Sequence, residues 1–475
     1  MSTKNSDIKE SLVVCQTSQG LEIRASLLRL TRYLAVFELD NPSLVLRTSE
    51  VLSEFHVIAQ ERVIYAGRAV INNLVSTGIV TVCEAALTDS GWRDVDLTAE
   101  MLRKGKLSEQ FRDFLQEWQK YYKVAPEYKI IVADIQSYLA DLRLWLDQVE
   151  LGIRASPSED RLRLEQEAAD DLVKPVIPCI DELFEQFETV AKGLAEELLP
   201  AHRSYMRRQL HPLVLCSPFA YRTFQKPLGY AGDYEVVNMM VRNQYEGSSL
   251  FAKVVNTWFL RQPPAQAHRN RIDFLAAALE TETLRVRRQG RPARVFNVAC
   301  GPAQELQRFI SQSPLCDQAQ FTVLDFNEET LAHVRSCIET ITRQRSRPPA
   351  VQYVRKSVQQ ILKEGNRSVQ QPGGQYDLVY CAGLFDYLSD PICQRVMNTL
   401  YDQLAPGGLL LGTNVEPSNP LRYGMEHLLD WHLVYRTAAQ LRTLAPARAP
   451  REACSVHCDP TAVNLFLAVR KPGHD

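Results

Sequence analysis

The sequence predicts an α/β protein: a doubly wound sheet in its C-terminal part, a helical region before it, and a small β-barrel at the N-terminus. Three observations carry this. From residue 295 onward, strand-like and helix-like stretches alternate. Between about residues 97 and 283 the apolar residues recur at helical spacing. In 11–87, short β-branched and aromatic runs are separated by turn residues. A chain of 475 residues is too long for one ordinary domain, and the expected units are 1–95, 96–283 and 284–475.

Composition excludes several classes of function. Hydrophobic content of 45% with 23% charged residues is that of a globular protein, and the net charge of −2 gives no electrostatic argument for nucleic acid as a partner. Nowhere do ~18 apolar residues run together, so no membrane span is expected. The opening MSTKNSDIKESLVVC lacks an apolar core long enough for a signal peptide, which predicts a cytoplasmic protein. Eleven cysteines, an odd number without a C-x-x-C pair, suit reduced thiols. Cys454, His457 and Cys458 form the one group with ligand chemistry; three ligands without a fourth nearby predict no metal site.

The N-terminal runs are Leu12 to Cys15, Leu21 to Ala25, Tyr33 to Leu39, Arg62 to Ala66 and Ile79 to Ala86. Their spacing resembles a PilZ-like domain, a module often used to bind cyclic di-GMP. The stretches nearest to that family's RxxxR and (D/N)xSxxG elements, Arg24 to Arg29 and Asn72 to Gly78, have different spacing. Cyclic di-GMP is therefore not expected, and the unit is taken as an interaction barrel.

The helical region shows three stripes: Phe111, Phe114, Leu115 and Trp118; Ile131, Ile135, Tyr138, Leu142 and Trp145; Ile180, Leu183, Phe184, Phe187, Val190 and Leu194. Aromatic stripes at this spacing are expected to be packed core. RASPSEDR (154–161) is a polar break between helices. His211 to Tyr234 is rich in Pro, Gly and aromatic residues and predicts a loop, a substrate wall if it lies beside an active site; Asp233 would cap the helix that follows. Pro263-Pro264 separates this region from the next helix, and the basic run Arg285 to Arg294 predicts a solvated linker.

In the C-terminal unit the expected strands are 295–299, 321–325, 351–354, 376–381 and 408–413, with a hairpin near 452–458 and 463–470. A helix over 392–404 has Asp390 as N-cap and Pro391 at its first position; Ile392, Val396, Leu400 and Leu404 form its apolar face, and Pro406-Gly407-Gly408 ends it.

The chemistry concentrates on RVFNVACGPAQEL (294–306). A strand runs into a small-residue turn, and the turn opens a helix whose Leu306, Phe309 and Ile310 share a face. This order aims backbone N–H groups at a ligand, and Ala299 and Gly301 let it approach. Asp325 closes the next strand 24 residues after Gly301, where a carboxylate accepts both ribose hydroxyls of an adenosine. The turn lacks the full G-x-G-x-x-G of pyrophosphate binders, and no P-loop is present. Asn297 suits the amine of an amino-acid-bearing nucleoside.

NVACGPAQE, VLDFN, YDLVYCAGLFDYL and LAPGGLLLGTNV resemble the successive motifs of class I S-adenosylmethionine-dependent methyltransferases over about residues 290–470. The resemblance implies a Rossmann-like seven-stranded methyltransferase sheet, with S-adenosyl-L-methionine as cofactor. By position it implies that Asn297, Ala299, Gly301 and Pro302 hold the methionine moiety and Asp325 the ribose. Phe326 would flank the adenine, Ser357 approach its edge, and Cys381 and Ala382 line the sulfonium side. Asn297 and Ala299 depart from the acid and glycine usual in the first motif.

KPLGYAGDYEVVNMM (226–240), AGLFDYLSD (382–390) and EHLLDWHLVYR (426–436) are similar to proteins assigned as 3-hydroxypalmitic acid methyl ester synthases. This implies O-methylation of a fatty acid carboxylate to a diffusible ester used in quorum sensing. A carboxylate, with a pKa around 4, is ionised at pH 7 and needs orientation rather than a base. His432, Tyr230 and Arg436 are the expected catalytic groups. Tyr230, Asp233, Tyr234, Phe385, Trp431 and Tyr435 are the expected substrate wall, with an acyl tunnel from the helical region. The bland alternative makes Trp431, His432, Tyr435 and Arg436 one amphipathic helix. The expected partners are a small-molecule, acyl substrate and, as the assembly considered, a second copy in a homodimer. Two other functions stay open: methylation of another small metabolite at oxygen or nitrogen, and a cofactor-sensing signalling protein.

Overall fold

The computed structural model describes residues 11–39, 44–59, 62–76, 81–88, 91–92, 112, 124–242, 245–343, 348–365 and 376–473. The N-terminal part is a closed six-stranded barrel in the order β1-β2-β3-β6-β5-β4. Its strands are β1 (Leu12–Gln16), β2 (Glu22–Leu30), β3 (Leu34–Leu39), β4 (Val51–Ala59), β5 (Arg62–Ser76) and β6 (Thr81–Leu87). Alternation builds it: Ile23, Ala25 and Leu27 face in from β2 while their neighbours face out. β4 was not expected. Its SEFH stretch breaks the period because the register shifts between Leu52 and Phe55, with Glu54 in the left-handed region. Of the stretches compared with PilZ elements, Arg24 stands exposed on β2 and pairs with Glu22, while Thr77 and Gly78 lie outside the described residues.

Next come α1 (Pro126–Ala155) and α2 (Ser158–Lys192), broken from each other at the expected polar segment. Tyr128, Ile131, Ile135, Leu139, Leu142 and Leu146 bury one face of α1. Trp145, placed on that stripe from the sequence, is 49% exposed; Leu146 takes the core position. The stripe Phe111, Phe114, Leu115 and Trp118 lies outside the described residues.

The stretch 211–234 is more helical than its composition suggests. α3 (Leu199–Val214) runs through Pro212, and α4 (Pro218–Gln225) follows. Ser217 caps α4 by accepting from the Ala220 N–H, and Pro218 sits at the first position, so Ser-Pro here is a start signal. The remaining loop, 226–233, leads into α5 (Tyr234–Val241), capped as expected by Asp233. α6 (Leu250–Arg261) and α7 (Pro263–Arg287) complete the region. α7 packs on the sheet through Leu275, Leu279 and Val286, so the basic run begins inside it. Arg285 pairs with Glu282 and Arg291 with the buried Asp377, which ties the run to the fold.

The sheet has seven strands in the order β12-β13-β11-β10-β7-β8-β9. They are β7 (Ala293–Val298), β8 (Ala319–Asp325), β9 (Ala350–Arg355), β10 (Tyr376–Cys381), β11 (Leu404–Val415), β12 (Cys454–Cys458) and β13 (Asn464–Arg470). The first five pair in parallel, and β13 runs antiparallel to both its neighbours. α8 (Gln304–Gln312), α9 (Glu328–Thr342), α10 (Val358–Gly365), α11 (Asp390–Asp402), α12 (Arg422–Leu428) and α13 (Ala438–Thr443) accompany these strands. The chain order reverses at β7, which opens a crevice beyond the carboxyl ends of β7, β8 and β10.

Two expected details differ. The N-cap position of α11 is Ser389, which makes no side-chain capping bond; Asp390 is the first helical residue and its carboxylate accepts from Arg436. The helix stops at Asp402, and Pro406-Gly407-Gly408 is an irregularity inside β11, where the register shifts.

Candidate functional site

The turn after β7 is built on alternating left-handed residues, Ala299 (φ 53°), Gly301 (φ 53°) and Ala303 (φ 49°). Left-handed backbone costs a non-glycine residue about 1–2 kcal/mol, so strain is concentrated here. A Cβ added at Gly301 would meet no atom within 4 Å; the space beside the turn is open. The Gly301 N–H donates to Asp325 Oδ2 (3.2 Å) and the Asn327 N–H to Oδ1 (3.0 Å), fixing the carboxylate at the end of β8. Burial raises the Asp325 pKa, while these N–H donors and the charge of Arg47 oppose the rise.

Below the turn, Asn297 Nδ2 and Tyr380 Oη both donate to Glu305 Oε1, at 3.0 and 2.9 Å. The acid missing from position 297 is thus supplied from the first turn of α8. Burial raises the Glu305 pKa.

Loop 226–233 and the start of α5 form another wall of the site. Tyr230 lies 5.3 Å from Phe326, ring centroid to ring centroid. Trp431 Nε1 donates to Tyr387 Oη (2.9 Å), and a Cβ on Gly232 (φ 68°) would lie 2.7 Å from that oxygen, so the loop passes there only as glycine. Gln304 Nε2 donates to Asn238 Oδ1 (2.6 Å), joining α8 to α5.

Between these walls lies a cavity of about 1580 Å³, counting space open to solvent. Of the residues expected at the cofactor, Asn297, Ala299, Gly301, Pro302, Asp325, Phe326 and Ala382 line it. Ser357 and Cys381 do not: the Ser357 hydroxyl caps α10, and Cys381 is packed in the sheet core. Lys356, Val358 and Tyr380 line it instead. Of the expected substrate wall, Tyr230, Tyr234 and Trp431 are present. Asp233 is absent because it caps α5 and binds Arg222. Phe385 packs under Gly412, and Tyr435 lies under the Arg422 guanidinium, 4.4 Å from ring centroid to carbon.

Two of the three expected catalytic groups lie outside the cavity lining. Arg436 donates to Asp390 Oδ1, Asn414 Oδ1 and the carbonyls of Phe385 and Leu388, which leaves its guanidinium committed to the fold. His432 is 4% exposed, with Nε2 3.1 Å from Asp430 Oδ1, and burial lowers its pKa. The segment is no amphipathic helix: α12 ends at Leu428 and Asp430 is left-handed.

The cavity also holds groups that sequence reasoning missed. Arg271, on α7, is 8% exposed and lines it beside Gly383, where a Cβ would come within 2.8 Å of Nη1. Among the described residues no carboxylate lies within 4.0 Å of its guanidinium; Asp386 and Glu305 act on it from farther away. Asp386 itself lines the cavity, and burial pushes its pKa up to about 6. His268 lines it too, with Nδ1 2.8 Å from the Pro264 carbonyl and a pKa lowered by burial to about 3. Apolar walls continue outward through Phe219, Val237, Met240, Phe259, Ile272 and Leu429. Among the described residues no group of three potential ligands could hold a metal ion, and no helix is long and apolar enough to cross a membrane.

Residues 295–408 match the methyltransferase domain family. No curated protein matches the chain significantly. Among solved structures, a possible exported protein from Bordetella parapertussis is 18% identical, covering 67% of this chain and 100% of its own, with a TM-score of 0.41. Magnesium protoporphyrin IX methyltransferase from Synechocystis PCC 6803, with bound S-adenosylhomocysteine, is 13% identical over 44% of this chain and 85% of its own (TM-score 0.31). The N-methyltransferase NodS from Bradyrhizobium japonicum WM9 is 15% identical over 50% and 98% (TM-score 0.29).

Proposed function

We propose that this S-adenosylmethionine-dependent methyltransferase methylates the carboxylate of a fatty acid, a 3-hydroxy acid by the resemblance noted in its sequence, to give a methyl ester signal. The observation that carries the proposal is Arg271, a buried guanidinium with no carboxylate of the described residues within 4.0 Å, in a cavity whose outer walls are apolar. An unpaired buried cation is costly, and an anion entering on an apolar chain would relieve that cost.

The residues present fit the cofactor. Open space beside Gly301 would admit a ligand at the backbone, Asp325 would accept from ribose hydroxyls, and Glu305 would offer a carboxylate to an amine. When bound, the cofactor supplies an electrophilic methyl on sulfur. Arg271 then orients the acceptor carboxylate, Tyr230 and Trp431 wall the reacting end against water, and positioning does most of the work. A carboxylate needs no base, which suits a site whose lining histidine, with a pKa of about 3, is far too weak a base.

Asp386 favours a second function, methylation of a hydroxyl, because a carboxylate with a pKa of about 6 in the cavity lining suits a general base. One experiment separates the two. The chain is incubated with methyl-labelled cofactor and a 3-hydroxy fatty acid. Label released as a volatile alcohol by alkali is expected, with a rate that holds as pH falls through 6. Label that survives alkali, with a rate that falls as Asp386 takes up its proton below about pH 6, overturns the ester and selects the hydroxyl.

A further inference from the structure

Among the described residues of the barrel region, Arg47 is the one that lines the cavity. It sits on the segment between β3 and β4, which is fastened to both other parts of the molecule. The Thr48 N–H donates to the Tyr387 carbonyl (3.1 Å) and the Val51 N–H to the Gly229 carbonyl (2.7 Å). Ser49 Oγ accepts from the His432 N–H (2.6 Å) and donates to the His432 carbonyl (2.9 Å). Glu50 accepts from the Arg47 N–H and from Ser18. The backbone around Arg47 is thus fully engaged, yet its side chain is not. It is 5% exposed, its Nε has no hydrogen-bond partner, and no carboxylate of the described residues lies within 4.0 Å. Its guanidinium carbon stands 4.3 Å from the centroid of the Phe326 ring.

We propose that Arg47 is a cofactor-positioning residue, closing the adenosine end of the cavity from the barrel side by stacking with Phe326 and facing the Asp325 carboxylate. This rests on the cofactor assignment above. It gives the barrel a role in the cofactor site rather than beside it. A planar guanidinium is suited to aromatic faces, and its charge keeps a neighbouring carboxylate ionised. The other titratable groups acting around Asp325 are Tyr230, Cys300 and Cys381, all held neutral by burial, and Lys356 lines the same end of the cavity. Arg47 is the charge that opposes the upward push of burial on Asp325.

The test is calorimetry of the full chain with S-adenosylhomocysteine over a range of pH. In Arg47→Ala, affinity is expected to fall roughly tenfold or more, and the acid limb of binding to move to higher pH because Asp325 then protonates more readily. Arg47→Lys, which keeps the charge but not the plane, should restore the acid limb and leave affinity reduced. Arg68→Ala is the control: Arg68 bonds the carbonyls of Gln225 and Phe224 and so holds the barrel to the loop without lining the cavity. Wild-type affinity and acid limb in Arg47→Ala overturn the proposal, as does an equal loss in Arg68→Ala, which would make the barrel a mechanical support. A wild-type chain that binds no S-adenosylhomocysteine overturns the cofactor assignment and this proposal with it; equal binding in both overturns this proposal alone.

Discussion

The segment 426–436 and the cavity beside the turn at 299–303 both bury charged residues. In the first, the buried charges are paired. Glu426 binds Arg203 and Arg422, His427 meets the Tyr128 hydroxyl, and Asp430 binds Arg207 at 2.7 Å with Lys226 and His432 beside it. Burial lowers the Lys226 pKa to about 8; burial alone would raise that of Asp430, but Arg207 and Lys226 hold it well below the usual carboxylate range. In the cavity the reverse holds: among the described residues no carboxylate lies within 4.0 Å of the Arg271 or the Arg47 guanidinium. Paired charge docks the helical region onto the sheet; unpaired charge marks where a ligand goes.

The largest expected effect tests the docking half of this contrast. Asp430→Ala leaves Arg207, Lys226 and His432 buried without their shared carboxylate, which should destabilise the fold by about 3–5 kcal/mol. Urea unfolding measures it. Cofactor affinity of the molecules that remain folded should be unchanged. An Asp430→Ala chain of normal stability but no activity would show the segment to be catalytic and dissolve the contrast.

Arg271→Ala should behave in the opposite way. Removing an uncompensated cation is expected to leave stability unchanged or raise it by ~1 kcal/mol, while kcat/KM falls roughly a hundredfold. The loss should appear in the KM for the acid. A loss confined to cofactor affinity would assign Arg271 to the cofactor's own carboxylate and remove the support for a carboxylate acceptor.

This contrast explains what could be read in advance. The sheet was legible because alternating strand and helix periods are local, and Asp325 because its distance from Gly301 along the chain is set by one strand–helix–strand unit. β4 was not, since a bulge at Ser53 and Glu54 erases its alternation. His432 is held by Asp430, only two residues away, but nothing local to Arg436 reveals that the carbonyls of Phe385 and Leu388 and the Asp390 carboxylate occupy it. Arg271, Arg47 and Glu305 were missed for the same reason. Whether a charge has a partner is a tertiary property, and their partners, or lack of them, lie 8 to more than 200 residues away.

The smallest effect concerns the strained turn itself. Ala299 and Ala303 both pay for a conformation that glycine adopts freely, about 1–2 kcal/mol, against the ~0.5–1 kcal/mol that glycine loses through its freer unfolded chain. Ala299 borders the cavity and is only partly buried against the sheet core, so its methyl contributes less packing than that of Ala303, and Ala299→Gly should stabilise by ~0.5 kcal/mol. Ala303 is fully buried in the core between α8 and the sheet. Losing its methyl forfeits ~0.8 kcal/mol of burial, so Ala303→Gly should be close to neutral. Thermal melting of the two variants separates them. Equal shifts would mean that packing plays no part in this difference, and two destabilised variants would show that the left-handed backbone is not the strained state that its dihedral angles imply.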